Sequence, residues 1–154
     1  MKKLIIICSN NAHTGKTTAL RKVGVLLSRK YPIVHIEGSL YERVTKDVRA
    51  VFKIDDVCVG LETMGDNRDA KTHRDSLWSF VEEWHCDIVI TASRMRIKTR
   101  YNIEQFIDVF GYDAVWMSHD FTHIERLREK LNEWYAERVV RYVEDWINGT
   151  HQVG

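Results

Sequence analysis

The chain has 154 residues, 44% of them hydrophobic, and 23 Lys and Arg against 22 Asp and Glu give a formal net charge of +1. That is enough chain for one well-buried domain, read as 1–154, and too little for two of ordinary size. Interspersed charge of both signs gives no support for a dedicated nucleic-acid surface or an acidic tail, and it leaves oligomeric state open.

The first element is the apolar run Leu4-Ile5-Ile6-Ile7-Cys8, which reads as a buried strand. It is too short for a signal peptide or a membrane span, so a cytoplasmic protein without a membrane partner is expected. A polar loop follows, and Ala19, Leu20, Val23, Leu26 and Leu27 then recur at helical spacing until Tyr31-Pro32, where proline stops the helix. Ile33 to Ile36 predict a short strand, with Glu37-Gly38-Ser39 as the turn at which a parallel strand releases the chain.

Residues 40–54 fit two periods. Leu40, Val44, Val48, Val51 and Phe52 mark a helix face, whereas Val48, Ala50, Phe52 and Ile54 alternate like a strand, so a short helix and then a strand are expected. Asp55-Asp56 separates that strand from Val57-Cys58-Val59-Gly60-Leu61 with hairpin spacing. Leu77, Phe80, Val81 and Trp84 predict an amphipathic helix after a polar stretch, Asp66 to Arg74, which is either an ordinary loop or a switch or lid. Asp87 opens the strand Ile88 to Thr91. Ile103, Phe106, Ile107 and Phe110 mark a further helix, and Ala114 to Met117 a last strand. Ile124, Leu127, Leu131, Trp134, Tyr135, Val139, Tyr142, Val143 and Trp146 trace a long terminal helix whose aromatic stripe is expected to pack on the sheet. Strands alternating with helices predict an α/β three-layer sandwich with a mainly parallel sheet that includes one β-hairpin. Cys8, Cys58 and Cys86 lie in or beside apolar runs without metal or redox spacing and read as reduced core residues.

Between the first strand and the first helix lie Ser9, Asn10, Asn11, Ala12, His13 and Thr14, and then Gly15-Lys16-Thr17-Thr18. A helix N-terminus offers unpaired N–H groups and the positive end of the helix dipole, which together bind anionic oxygen. The arrangement resembles the phosphate-binding loop G-x-x-x-x-G-K-[ST] of the P-loop NTPase superfamily. Asn10 stands where the leading glycine would fall, and Asn is among the residues that best tolerate positive φ. The resemblance implies a nucleoside triphosphate held by residues 10–18, with Lys16 on the β and γ oxygens and the Thr17 hydroxyl on Mg²⁺.

In an open α/β sheet, ligands bind outside the carboxyl ends of the strands. Glu62, followed two residues later by Met64 and then by Gly65, is similar to the D/E-x-x-G element of GTPase and SIMIBI-type P-loop proteins. That likeness implies that Glu62 holds Mg²⁺, directly or through water, and that the Gly65 N–H approaches the γ-phosphate. Asp87 precedes its strand and lies at the wrong end for such a role. Glu37 ends the second strand, a position resembling the strand-end acids of nucleoside and nucleotide kinases, and is a candidate base or ligand for a phosphoryl acceptor; capping or pairing with Arg43 is its other reading. Arg94, with Arg96, Lys98 and Arg100 behind it, can place positive charge near a transferring phosphoryl group. His119 and His123 lack the helical Glu of a zinc motif. The expected protein is therefore a Mg²⁺-dependent nucleotide-binding protein, with ATP preferred because no guanine-reading N/T-K-x-D motif is present. It is read as an NTPase or a small kinase-like phosphotransferase with a small-molecule acceptor, the alternative being a nucleotide-dependent switch or sensor.

Overall fold

A computed structural model describes residues 1–9, 16–41, 47–63, 70–94, 97–119 and 124–153. Strands β1 (Lys3–Ser9), β2 (Ile33–Glu37), β3 (Arg49–Ile54), β4 (Val57–Glu62), β5 (Ile88–Arg94) and β6 (Asp113–Ser118) form one sheet in the order β2-β3-β4-β5-β1-β6. Helices α1 (Lys16–Lys30) and α4 (Glu125–Val153) cover one face, and α2 (Ala70–Glu82) and α3 (Ile97–Phe110) cover the other. The alternation of side chains in the central strands serves both layers. Ile5, Ile7, Ile88 and Ile90 pack toward α1 and α4, while Leu4, Ile6 and Val89 pack toward α2 and α3.

The sheet is mixed, not mainly parallel. β4, β5, β1 and β6 pair in parallel, but β3 is antiparallel to both β2 and β4. The sequence treats the strand ending at Glu37 as a parallel strand, whereas it joins a three-stranded antiparallel edge. β3 alone is reversed, so Glu37 and Glu62 still end their strands on the same side of the sheet as Ser9, Arg94 and Ser118. Arg49, which begins the reversed strand, is brought to that same side.

Local signals explain most boundaries. The two-residue turn between β3 and β4 holds Asp55 at φ 52°, a conformation that Asp tolerates better than most residues. The expected strand over 48–54 is β3. Residues 42–46, the middle of the expected short helix, lie outside the described residues, and Leu40 and Tyr41 on its near side are not helical. Gly60 lets β4 approach α2 closely, because a Cβ there would stand 2.5 Å from the buried Phe80 ring. On α4, Tyr135, Ala136, Val139, Val140, Val143 and Ile147 form a buried stripe of helical period against α1 and the sheet. Tyr31 Oη donates to Glu144 at 2.5 Å, and Lys30 pairs with the same carboxylate at 3.3 Å, joining the end of α1 to α4.

The aromatic stripe of α4 divides. Tyr135 is buried and Trp146 packs partly against the core, but Trp134 is 51% exposed. Successive helical residues are about 100° apart, so Trp134 and Tyr135 cannot share a buried face. Among the described residues, no helix is long and apolar enough to cross a membrane.

Candidate functional site

The carboxyl side of the sheet is built by the end of β1, the start of α1, the ends of β2, β4 and β5, and the first turns of α2 and α3. Lys16 is the first residue of α1 and is buried. Thr17 is half-buried and Thr18 exposed. Burial pushes the thiol pKa of Cys8, near the end of β1, upward, while Arg100 and Lys16 pull it back, so two cations act on the same strand end. Cys8 is in register with Ser93 on β5 and Ser118 on β6, and Ser93 is fully buried. The loop residues Asn10, Asn11, Ala12, His13, Thr14 and Gly15 lie outside the described residues, as does Gly65.

Glu62 ends β4 completely buried. Thr91 on β5 donates its hydroxyl to Glu62 Oε1 at 3.0 Å, and Ser76 on α2 donates to Oε2 at 2.5 Å. Arg49 Nε lies 3.9 Å from Glu62 Oε2. Burial dominates these interactions and raises the carboxyl pKa to about 7.

Arg49 is the hub on the β2 side. Its Nη1 donates to Glu37 at 3.0 Å, its Nη2 to the Ser76 carbonyl at 2.9 Å and to Ser79 Oγ at 2.6 Å, and its guanidinium lies 4.1 Å from the centre of the Phe80 ring. Glu37 is exposed and pairs with Arg49; Arg43, its alternative partner, lies outside the described residues. One polar chain thus runs Glu37–Arg49–Ser76–Glu62–Thr91 across the ends of four strands and α2. Beside it, Thr63 accepts from the Val48 N–H at 2.9 Å and donates to Asp47 at 3.1 Å.

His73 lies one helical turn before Ser76. It is completely buried, its Nδ1 is 3.2 Å from Asn102 Nδ2 on α3, and its Nε2 has no hydrogen-bond partner among the described residues. Desolvation lowers its pKa to about 4, which keeps the ring neutral at ordinary pH. The polar stretch 66–74 is therefore helical from Ala70 onward and sends one of its residues into the interior; residues 66–69 lie outside the description.

The basic run is split by structure. Arg94 is the last residue of β5, Arg96 is outside the described residues, and Lys98 is in the first turn of α3. Arg100 donates to Glu104 at 2.9 Å and stacks over Trp116 on β6, its charge reaching Cys8. His119 is buried, bonded through Nε2 to Asn132 at 3.0 Å and stacked on Tyr135; His123 lies outside the described residues. Asp87 is at the amino end of β5, where its carboxylate accepts the Cys58 N–H at 3.0 Å. Cys8, Cys58 and Cys86 are buried free thiols.

Sequence reasoning missed Arg49, His73, Ser76, Thr91 and Asn102. Two carried a signal: His73, Leu77, Phe80 and Trp84 share one helical stripe, and Arg49 shares the alternation of Val51. A polar group on a buried stripe has to find a partner or neutralise.

Chemically, the arrangement combines a buried lysine at a helix start, a buried carboxyl group able to ionise near neutral pH, and an Arg–Glu pair exposed at the neighbouring strand end. Among the described residues, no three His, Cys, Asp or Glu form a cluster that could hold a metal ion. No protein-family model, curated protein or solved structure gives a significant match to this chain.

Proposed function

We propose that the chain is a Mg²⁺-dependent nucleoside triphosphate-binding protein, with ATP as the preferred nucleotide, and that it acts as a small kinase-like phosphotransferase. The observation that carries this reading is the placement of buried Lys16 at the start of α1 on the same side of the sheet as buried Glu62. A lysine at a helix N-terminus adds its charge to the positive end of the helix dipole, and the two together attract anionic oxygen. The sequence Gly15-Lys16-Thr17 supplies the chemistry of a phosphate site at that point.

The residues fit a magnesium ion. Glu62 is a fully buried carboxyl group whose charge the protein compensates weakly, since Arg49 Nε stands at 3.9 Å. A carboxylate has about four lone-pair positions, so the bonds from Ser76 and Thr91 leave capacity for a ligand. Mg²⁺ typically uses one or two carboxylates and takes further ligands from phosphate and water. Glu62 and the Thr17 hydroxyl would hold the ion, whose chemistry would be charge neutralisation on the phosphate oxygens.

The roles of the chain's own residues follow. Lys16 binds the β and γ oxygens, assisted by the backbone N–H groups of residues 10–18. Ser76 and Thr91 hold the Glu62 carboxylate in one orientation. Arg94 and Arg100 supply positive potential at the ends of β5 and β1 as charge spreads over the transferring group. Glu37 receives the acceptor hydroxyl, and Arg49 fixes the Glu37 carboxylate. The continuous polar chain from Glu62 to Glu37 favours a phosphotransferase over a switch, because it extends the site beyond the metal side to an exposed acid.

The test is phosphoryl transfer from ATP and Mg²⁺ to a panel of nucleosides, nucleotides and hydroxyl-bearing metabolites. Transfer to at least one acceptor is expected, with Glu37→Gln lowering kcat by about 10²-fold or more while ATP binding persists. Binding of ATP with no transfer to any acceptor would overturn the phosphotransferase reading and leave the switch.

A further inference from the structure

The three buried thiols are not alike. Cys58 on β4 and Cys86, which follows the turn after α2 and leads into β5, stand with their sulfurs in contact at 3.3 Å. Cys8 sits toward the opposite end of the sheet, in register with Ser93 near the end of β5. Cys58 and Cys86 are 28 positions apart in sequence and share no motif, so the fold alone brings them together. Their backbones are pinned on both sides. The Cys58 N–H donates to the Asp87 carboxylate at 3.0 Å and its carbonyl accepts the Asp87 N–H at 2.9 Å; the Cys86 N–H donates to the Phe80 carbonyl at 2.8 Å and its carbonyl accepts from Tyr112. Two sulfurs held this close need only small rotations about their Cα–Cβ bonds to reach bonding distance.

We propose that Cys58 and Cys86 form a reversible dithiol–disulfide couple whose oxidant is hydrogen peroxide, with Cys58 as the attacking thiol and Cys86 as the resolving one. Burial selects the oxidant: Cys58 is 8% exposed and Cys86 3%, an opening that suits the smallest oxidants and not a bulky disulfide. Cys58 is the more accessible of the two, and Cys86 is placed to donate its S–H to it. That bond holds the Cys58 thiol below its usual range against burial and Asp87, with help from Lys53, its neighbour in register on β3. The same bond, burial and Asp87 push the Cys86 thiol up, and Arg49 draws it back only in part. In its neutral form Cys58 also donates to the Trp84 carbonyl at 3.5 Å.

The Cys58 thiolate attacks one oxygen of the peroxide. The O–O bond breaks, the second oxygen leaves as hydroxide and takes up the proton that Cys58 released, and Cys58 becomes a sulfenic acid. The Cys86 sulfur then attacks the Cys58 sulfur, the S–O bond breaks, and the departing hydroxide leaves with the Cys86 proton as a second water. Two thiols lose two electrons and two protons, and the peroxide accepts them. Exchange with a dithiol reverses the step: the dithiol is oxidised to its own disulfide while its protons return to Cys58 and Cys86. The bond closes the loop from β4 through α2 to the start of β5, at the end of the sheet opposite Glu62 and Lys16, so it does not depend on what the carboxyl side binds.

The test treats the full chain with a small excess of hydrogen peroxide, removes the oxidant with catalase, unfolds the protein and alkylates the remaining thiols, so that the intact mass counts them. The untreated chain takes three labels, one for each free cysteine. The treated chain is expected to take one and to lose the mass of two hydrogens, with a Cys58–Cys86 cross-link in the peptide map and three labels again after dithiothreitol. Cys8→Ser should take two labels before treatment and none after. With dimedone present, Cys86→Ser should be trapped as the Cys58 sulfenic acid, whereas Cys58→Ser should give no adduct at Cys86. Three labels after peroxide, a bond that involves Cys8, sulfinic acid on Cys58 without a disulfide, or a dimedone adduct in Cys58→Ser and none in Cys86→Ser would each overturn the proposal.

Discussion

The two ends of the sheet solve the burial of polar groups in opposite ways. At the amino end, polar groups close the backbone: Asp87 accepts the Cys58 N–H, the Asp87 N–H bonds the Cys58 carbonyl at 2.9 Å, and Tyr112 donates to the Cys86 carbonyl. These contacts satisfy groups that folding would otherwise leave unpaired. At the carboxyl end, Glu62 and His73 are completely buried, and burial forces both toward their neutral forms. The first end is arranged for stability. The second holds ionisable groups at a cost to stability, which accords with the site proposed there.

The largest effect that can break this contrast is a pair of opposed pH dependences. The folded pKa of Glu62 is raised from 4.5 to about 7, so its contribution to stability is complete below 4.5 and is lost as pH rises through 7. The folded pKa of His73 is lowered from 6.5 to about 4, so its contribution is complete above 6.5 and is lost as pH falls through 4. Between 4.5 and 6.5 the two slopes oppose each other, and each is worth up to about 3 kcal/mol at 1.36 kcal/mol per pKa unit. Glu62→Gln should therefore leave a stability that rises with pH across this window, and His73→Gln one that falls, both measured by urea unfolding. Parallel slopes in the two variants would remove the claim that both groups are buried at a cost.

A smaller effect sharpens the other side. Asp87→Ala leaves the Cys58 N–H without its carboxylate and should cost about 1–3 kcal/mol in the same unfolding measurement, with nucleotide affinity unchanged. Loss of nucleotide affinity with Asp87→Ala would mean that the amino end is part of the site after all.

Much of the fold was legible because it is written in local periods. The isoleucine run of β1, the Asp55-Asp56 turn and the stripes of α1, α2, α3 and α4 each follow from spacing within a few residues. The direction of β2 relative to its neighbour was not, since it is decided by which strand lies beside it, and β3 joins the sheet only after residues 38–48. The candidate site was legible only where its residues stand at element junctions. Lys16 and Glu62 stand at strand–helix and strand–loop junctions, where letters and placement agree. Arg49, Ser76 and Thr91 become partners of Glu37 and Glu62 only when β3, α2 and β5 converge, and each alone reads as an ordinary polar residue.

The central claim is that Lys16, buried at the start of α1, belongs to a nucleotide site. Titration calorimetry of ATP with Mg²⁺ against the wild-type chain and Lys16→Ala tests it most directly. The account predicts saturable binding by the wild type and a loss of at least tenfold, about 1.4 kcal/mol, in a variant that remains folded by circular dichroism. Equal affinity in the two proteins, or no binding by the wild type, would contradict it.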